Sequence, residues 1–283
     1  MPDLVTLFEV PEYGLVKVTM CIRNQSYPHR QLRYRAAALF HLVVNEYLSE
    51  KSYLPLHKPD TMKSCLLIVL LTVFSFAGFS QQHAVSLFDG KSLAGWRTYQ
   101  NKPADSWQVT DGVLANKGNK DKTLKHADLI TEKEYENFEL SVDWKIAPAG
   151  NSGILYMVTE AFPSSYHSGP EYQLLDDRGF PEKVADWQKT GANYAMDPPV
   201  TDATKPAGEW NHTVILVNNG HVEHWLNGKK VVEYELWSDA WKKHKAEGKW
   251  KDTPGYGLSK KGHIALQDHG GEVWFKNMTI REL

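Results

Sequence analysis

A stretch with a strict period of two constrains the fold more than any other feature of the sequence. From Phe138 to Ile146, large apolar side chains occupy every second position, with polar or charged side chains between them. Because successive side chains of a β-strand point to opposite faces of a sheet, this pattern predicts an antiparallel strand with one buried face.

Short strands joined by tight turns follow along the rest of the chain. Turn sequences containing Asp-Gly or Asn-Gly lie at residues 111–112, 218–220 and 227–228. These residues tolerate the positive φ angles that tight antiparallel hairpins require. The turns predict a hairpin around 111–112 and a three-stranded meander across 214–236. Residues 262–269 and 273–280 are predicted to pair as the last two strands.

Helical patterns are confined to residues 238–249 and 181–189, and strands do not alternate with helices. Many short strands with Gly and Asn turns predict an all-β fold, a jelly-roll β-sandwich with one or two short helices. Residues 160–212 are rich in Pro and Gly and should form long loops over the sandwich. Loops on a rigid β scaffold are where binding and catalytic residues concentrate.

The first 80 residues differ in composition from the rest of the chain. All ten tryptophans lie at or beyond Trp96, whereas the two cysteines, Cys21 and Cys65, precede residue 66. Residues 62–80 combine a basic residue, an apolar run and a small-x-small ending, which is typical of a secretory signal peptide cleaved after Ser80. The run is shorter than the roughly 20 residues of a membrane span.

We therefore expect three segments. Residues 1–61 are interpreted as an upstream extension from a misassigned start codon, or a short leader, and residues 62–80 as the signal peptide. Residues 81–283 should form a single domain. The alternative is a signal anchor that holds a small cytoplasmic segment. The preferred interpretation predicts a periplasmic or secreted protein with no stable membrane anchor after cleavage.

Charge and cysteine content exclude several classes of function. The formal net charge is −2, and a nucleic-acid partner is not expected because such proteins usually carry a basic face. Two cysteines cannot build a disulfide framework or a four-thiolate zinc site. The sequence His221-Val-Glu223-His224 resembles a metal motif, but a strand would point its two histidines to opposite faces, so no zinc site is predicted there.

Three polar segments are candidates for a ligand site. Glu171 and Gln173 share one face of a predicted strand, an arrangement that suits a surface presenting a carboxylate and an amide to a polyol. Gln267 and His269 share a face just before two glycines, and histidine is the usual proton shuttle near neutral pH. Asn151 lies in a Gly-bounded turn. Each segment also has a structural interpretation: a solvated strand face, a histidine at a strand end, and a plain turn.

Seven short motifs, in this order, resemble the 3-keto-disaccharide hydrolase domain, a family first described as a domain of unknown function. The motifs are LFDGKSLAGW (87–96), LIT with NFEL (129–140), NSGI (151–154), EYQLLD (171–176), GEWN (208–211), WLNG (225–228) and GHIALQDHG (262–270). The resemblance extends from Leu87 to Leu283. It implies a concanavalin A-like glucanase sandwich, export from Bacteroidetes or related bacteria, and cleavage of glycosides whose sugar is oxidised at carbon 3.

The implied chemistry needs an acid and a base. A ketone at carbon 3 acidifies the hydrogen on carbon 2, so a base can form an enolate while an acid assists loss of the aglycone from carbon 1. Glu171 and His269 are expected to share this work, and which of them is the base is left open. The expected substrate-binding residues are Asn151, Gln173, Asp176, Arg178, Trp187, Tyr194 and Gln267.

The expected partner is an oligosaccharide or glycoside, and no cofactor is expected. A divalent metal held by Glu171, Asp176 and His269 is an alternative, since all three are competent ligands. Two other functions compete. An ordinary glycoside hydrolase would pair Glu171 with Asp176 or Asp268 at about 5–9 Å. A non-catalytic carbohydrate-binding module would bind sugar saturably, in a cleft floored by exposed tryptophan and with no perturbed carboxylate or histidine.

Overall fold

The computed structural model describes residues 8–10, 14–16 and 83–283. The predicted signal peptide, residues 62–80, lies outside the described residues. Strands β1 (Phe8–Val10) and β2 (Gly14–Val16) form an antiparallel hairpin that belongs to a separate compact unit of the chain. Within the described residues, no helix has the length and apolar character needed to cross a membrane.

The second compact unit of the chain contains the described residues 83–283, and in it thirteen strands form two antiparallel sheets. In chain order they are β3 (Val85–Ser86), β4 (Trp96–Thr98), β5 (Trp107–Thr110), β6 (Val113–Lys117), β7 (Leu129–Thr131), β8 (Phe138–Ile146), β9 (Asn151–Val158), β10 (Glu171–Leu175), β11 (Asn211–Asn218), β12 (His221–Leu226), β13 (Lys229–Glu235), β14 (His263–Leu266) and β15 (Glu272–Glu282). One sheet has the order β10-β9-β14-β7-β4. The other has the order β13-β12-β11-β8-β15-β6-β5, with β3 paired to β15.

The predicted all-β sandwich is confirmed, and β8 shows why it forms. Its apolar residues from Phe138 to Ile146 are buried at every second position, as the period of two predicts. The indole of Trp144, fully buried between the sheets, donates a hydrogen bond of 2.8 Å to Thr213 Oγ1 on the neighbouring strand. One core of aliphatic and aromatic side chains therefore joins the two sheets.

The predicted hairpins and meander are also confirmed. The turn between β5 and β6 has positive φ angles at Asp111 and Gly112, and the turn between β12 and β13 has them at Asn227 and Gly228. These are the conformations that Asn, Asp and Gly adopt most readily. Local turn chemistry thus fixed the connections of these strands.

The predicted pairing of the last two strands is wrong. Strand β14 lies between β9 and β7 in the five-stranded sheet, whereas β15 pairs with β6 and β8 in the other sheet. The intervening residues 267–271 carry the chain from one sheet to the other. Gly270 has a φ of +88°, and a Cβ on Gly271 would lie 2.9 Å from the backbone nitrogen of Asn151. Gly270 adopts the positive φ that the crossing between the sheets requires, and Gly271 lets the backbone pass close to Asn151. Neither glycine forms a hairpin turn.

One of the two predicted helical segments forms an α-helix. Helix α1 spans Asp239–Glu247, and the Ser238 hydroxyl caps it by accepting a hydrogen bond from the Trp241 amide at 3.1 Å. The segment 181–189 contains only a single 3-10 turn, Asp186–Gln188. Residues 176–210 otherwise form the expected loops over the sandwich.

Strand β10 places the predicted polar pair on the outer face of the five-stranded sheet. Tyr172 and Leu174 point into the core between the sheets, so Glu171 and Gln173 point the other way. The antiparallel register sets Gly153 of β9 opposite Gln173. This outer face, covered by the loops, is the floor of the candidate site.

Candidate active site

A cavity of about 360 Å³ lies over the outer face of the five-stranded sheet. Six of the nine residues predicted for the site line it: Asn151, Glu171, Gln173, Tyr194, Gln267 and His269. Three different strand ends and a loop supply these side chains. The fold thus brings together all three polar segments that the sequence singled out.

Glu171 is the most unusual group in this cavity. Its side chain is only 4% exposed, yet its carboxyl accepts no hydrogen bond from any described residue. Burial raises the pKa of Glu171 to about 8, and the nearby charge of Asp128 adds to that rise, while Lys249 opposes it. A carboxyl held in this way takes up or releases a proton near neutral pH, as an acid–base group must.

Gly153 makes room for the Glu171 carboxyl. A Cβ at this position would lie 2.3 Å from Glu171 Oε1 and 2.8 Å from Cδ, far inside van der Waals contact. The carboxyl therefore lies directly across the backbone of β9. Any larger residue at 153 would have to displace it.

Amide side chains surround the carboxyl. Gln173 donates from Nε2 to Asn151 Oδ1 at 3.2 Å, which orients both amides. Gln267 is 9% exposed, and its Oε1 is buried without a hydrogen-bond partner among the described residues. Its backbone is fixed by a hydrogen bond from its own amide to the Gly153 carbonyl at 2.9 Å, and by one from Ser152 Oγ to its carbonyl at 2.8 Å. These amides form a preorganised polar floor.

His269 is exposed at the cavity mouth, on the segment that crosses between the sheets. The residue before it is held from two sides. The Asp268 amide donates to Asp128 Oδ1 at 2.8 Å, and the fully buried Asp268 carboxylate lies 2.9 Å from His126 Nδ1. The backbone that carries His269 is thereby anchored although its imidazole is free to meet a ligand.

Lys249 and Trp250 line the cavity but were not predicted to do so. Helix α1 ends at Glu247, and the chain that directly follows it reaches the cavity. Lys249 Nζ donates to the Tyr194 hydroxyl at 2.8 Å and lies 4.1 Å from the ring centroid. The single signal in the sequence was Gly248, which ends the helix directly before these two residues.

Three of the predicted substrate-binding residues do not line this cavity. Trp187 is 39% exposed and packs edge-on against Tyr194, with 5.6 Å between ring centroids. It supports the outer side of the cavity wall instead of contacting the interior. This position follows from the 3-10 turn that carries it.

Asp176 and Arg178 line a separate cavity of about 230 Å³, because β10 ends at Leu175 and the next turn carries the chain away. The Asp176 carboxylate accepts hydrogen bonds from the amides of Ala149 at 2.9 Å and Gly179 at 3.0 Å, so it shapes two turns. Arg178 is exposed and lies 3.8 Å from Asp202.

The metal site considered for Glu171, Asp176 and His269 is not assembled, since Asp176 faces the other cavity. Within residues 83–283, His221, Glu223 and Glu233 on the eight-stranded sheet have ligand atoms within 4.8 Å of one another. The Lys230 ammonium, however, contacts both glutamates and already supplies the positive charge.

His221 and His224 point to opposite faces, as predicted. His224 is fully buried in the core, where its ring nitrogens lie 2.9 Å from the Tyr156 hydroxyl and 2.9 Å from the Gly191 carbonyl oxygen. Burial lowers the pKa of His224 to about 4, so it is neutral at physiological pH. It is a structural histidine.

A second cavity of about 240 Å³ adjoins the first, and Tyr166, Gln267 and His269 line both. Two antiparallel sheets, with a polar two-part cleft across the outer face of one, form a jelly-roll-like β-sandwich. The chain belongs to the family of 3-keto-alpha-glucoside-1,2-lyase-like domains, whose model matches residues 83–281. The resemblance drawn from the seven motifs is confirmed.

Individual relatives agree with this assignment. A 3-keto-disaccharide hydrolase of Bacteroides thetaiotaomicron is 33% identical over 227 residues, covering 70% of this chain and 78% of the relative. A proposed glycosyl hydrolase from Parabacteroides distasonis, with a crystal structure, is 42% identical at a TM-score of 0.66, covering 71% of this chain and 94% of its own. Another from the same organism is 32% identical at a TM-score of 0.56, covering 71% of this chain and all of its own.

Gly153→Ala should displace the Glu171 carboxyl toward the cavity. Because the added methyl meets a flexible side-chain end and the strand conformation suits alanine, the fold should survive. The displaced carboxyl should be better solvated, and its pKa should fall from about 8 toward its ordinary value of 4.5. A carboxyl ¹³C NMR titration measures this, with Glu171→Gln identifying the resonance. An unchanged pKa in Gly153→Ala would contradict the packing described above.

Glu171→Gln should stabilise the protein increasingly as pH rises. The folded-state pKa of about 8 exceeds the ordinary 4.5, so the protonated carboxyl favours the fold. That contribution is complete below about pH 4.5 and is lost as pH rises through about 8. We expect the Tm difference between Glu171→Gln and the wild type to widen by roughly 8–16 °C from about pH 5 to about pH 9.

Thermal unfolding followed by circular dichroism measures this difference, and the exposed cavity-rim variant Glu182→Gln is the matched control. The control should track the wild type at every pH. A Tm difference that stays constant across the range would show that Glu171 ionises normally in the folded protein.

Proposed function

We propose that the protein is an exported carbohydrate-active enzyme that cleaves 3-keto-glycosides by elimination and hydration. The observation that carries the proposal is the buried, unpaired Glu171 carboxyl facing a cavity floored by amides. Family membership and the 3-keto-disaccharide hydrolase among its relatives support a carbohydrate-active hydrolase. The proposal adds two points to this: the substrate is an oxidised sugar, and the bond is cleaved by elimination and hydration.

The reaction has two balanced steps. A base takes the hydrogen from carbon 2 of the 3-keto sugar, the electron pair forms the carbon 1–carbon 2 double bond, and the bond from carbon 1 to the glycosidic oxygen breaks. The leaving oxygen takes a proton from an acid, which releases the free alcohol. Water then adds across the double bond, its hydroxyl to carbon 1 and its proton to carbon 2. The net result is hydrolysis.

Glu171 fits the base. Its raised pKa of about 8 makes its carboxylate a stronger base than an ordinary glutamate, as removal of a carbon-bound hydrogen requires. It lines only the first cavity, which would hold the oxidised ring. With no hydrogen bond from the described residues, its carboxyl is free to approach the substrate.

His269 fits the acid. It stands where the two cavities meet, so a glycosidic oxygen that joins a ring in each would lie beside it. An exposed imidazole exchanges protons with solvent between turnovers, as a general acid must. The assignment of base and acid thus follows from the depth of the two groups in the cleft.

Hydrogen-bond donors around the ring would stabilise the enolate. The Tyr194 hydroxyl accepts from Lys249, which makes its own O–H a stronger donor toward a developing oxyanion. Gln173 and Asn151, held to each other, are available for the ring hydroxyls. A cluster of fixed donors in a partly enclosed cavity favours the charged intermediate over the neutral ketone.

The two competing functions fit less well. Asp176 lies on another cavity and Asp268 is paired with His126, so neither predicted carboxylate partner is free beside Glu171. Glu182, on an exposed loop, is the other acidic residue that lines the cavity. A passive binding module is disfavoured because the exposed Trp187 lies outside the cavity and burial perturbs the pKa of Glu171.

Export is a further part of the proposal. It rests on the signal-peptide pattern of residues 62–80, and cleavage after Ser80 would leave a mature chain that begins at Gln81.

The substrate test compares 3-keto-trehalose with trehalose, following sugar release by the purified protein. We expect cleavage of the keto form alone, because only a ketone acidifies the carbon 2 hydrogen. Glu171→Gln and His269→Ala should each lower kcat/KM by about 10²–10⁴. The control Glu136→Gln, at an exposed position outside both cavities, should retain activity. Cleavage of both sugars would favour the ordinary glycosidase, cleavage of neither the binding module, and full activity in both site variants would refute the site.

The pH profile tests the role of Glu171. As a base, it must be deprotonated, so in His269→Ala, where the second ionising group is absent, kcat/KM for the keto substrate should rise about tenfold per pH unit and level off above about pH 8. A His269→Ala profile that instead falls above about pH 8 would make Glu171 the acid and reverse the assignment. Initial rates between about pH 6 and 9, at substrate concentrations below KM, give the profile.

A further inference from the structure

The second cavity is separated from the first by the anchored segment that carries Gln267 and His269. The hydrogen bond from the Asp268 amide to Asp128 fixes this segment from the side of the second cavity, and that from the buried Ser152 hydroxyl to the Gln267 carbonyl ties it to β9. A ligand that occupied both cavities would therefore cross over a fixed partition with the imidazole of His269 beside it.

Acidic groups in the second cavity are already engaged. The Asp268 carboxylate is fully buried and paired with His126. Asp128 accepts hydrogen bonds from the Asp268 amide and the Ser165 hydroxyl. Neither carboxylate is left to bind a cation or to repel a ligand's oxygen atoms.

Donors and an aromatic ring remain for a ligand. The Lys102 ammonium lines the cavity, where it donates to the Pro163 carbonyl at 2.8 Å and retains two further protons. The imidazole of His126 is 30% exposed and offers its second nitrogen. Tyr166, 40% exposed, lines both cavities at the partition. Donors beside an exposed aromatic face suit a sugar, which presents hydroxyl oxygens and an apolar C–H face.

We propose that the second cavity is the leaving-group subsite, built for a hydroxyl-rich sugar, with Lys102 as its specificity-determining residue. This inference rests on the proposed function and adds the position of the leaving sugar and the residues that select it. The oxidised ring occupies the first cavity, the leaving sugar the second, and the glycosidic oxygen lies at the partition beside His269. A glycoside with a small aglycone fills only the first cavity and gains nothing from Lys102.

The test measures kcat/KM for 3-keto-trehalose and for methyl 3-keto-glucoside in wild type, Lys102→Met and Lys102→Arg. Methionine keeps the apolar stem beside the Tyr99 ring and removes the charge, while arginine restores a cationic donor. We expect Lys102→Met to lower the value for the disaccharide about tenfold and that for the methyl glycoside less than about twofold. Lys102→Arg should recover most of the loss.

The matched control is Lys183→Ala, an exposed lysine that lines the first cavity alone and should alter both substrates by the same factor. Cleavage of the methyl glycoside by Lys102→Met shows that the variant is folded. An equal loss on both substrates would overturn the subsite, as would a wild type that cleaves both with equal kcat/KM, and both results leave the proposed function intact. A wild type that cleaves neither keto substrate would overturn the proposed function together with the subsite.

Discussion

The register between β9 and β10 is the constraint on which the site depends. It places Gly153 opposite Gln173, so the one glycine of these two strands lies under the Glu171 carboxyl. A slip of one residue would turn Glu171 and Gln173 into the sandwich core and Tyr172 into the cavity. Burial of Tyr172 and Leu174 against the eight-stranded sheet therefore holds the register, and the hydrophobic core positions the chemistry on the opposite face.

The segment between the last two strands is the second determinant of the site. Because β14 and β15 belong to different sheets, the chain must cross the rim of the sandwich at residues 267–271. The same crossing carries Gln267 and His269, and Asp128 holds it by accepting the Asp268 amide. The segment 267–271, which the sheet topology requires, therefore also separates the two cavities. Anchored backbone with a free side chain is how a rigid scaffold presents a reactive group.

The fold holds the Glu171 carboxyl in a buried position that a carboxyl group does not favour. A buried carboxyl without a hydrogen bond is costly, and burial raises the pKa of Glu171 for the same reason. The surrounding sandwich supplies the stability that this group lacks, through a continuous core with fully buried Trp144 and Phe138. The Glu171 carboxyl and the unpartnered Gln267 Oε1 both lie on the outer face of the five-stranded sheet, away from the core between the sheets.

The sequence by itself determined the strands, the tight turns and the faces of β8 and β10, because period-two patterns and Asp-Gly or Asn-Gly pairs act over a few residues. It also indicated six of the cavity residues. Only the tertiary structure decided that β14 and β15 lie in different sheets, that Lys249 enters the cavity, and that Asp176 and Arg178 leave it. These outcomes depend on which strands pair and where loops fold back, and such long-range contacts have no local period to reveal them.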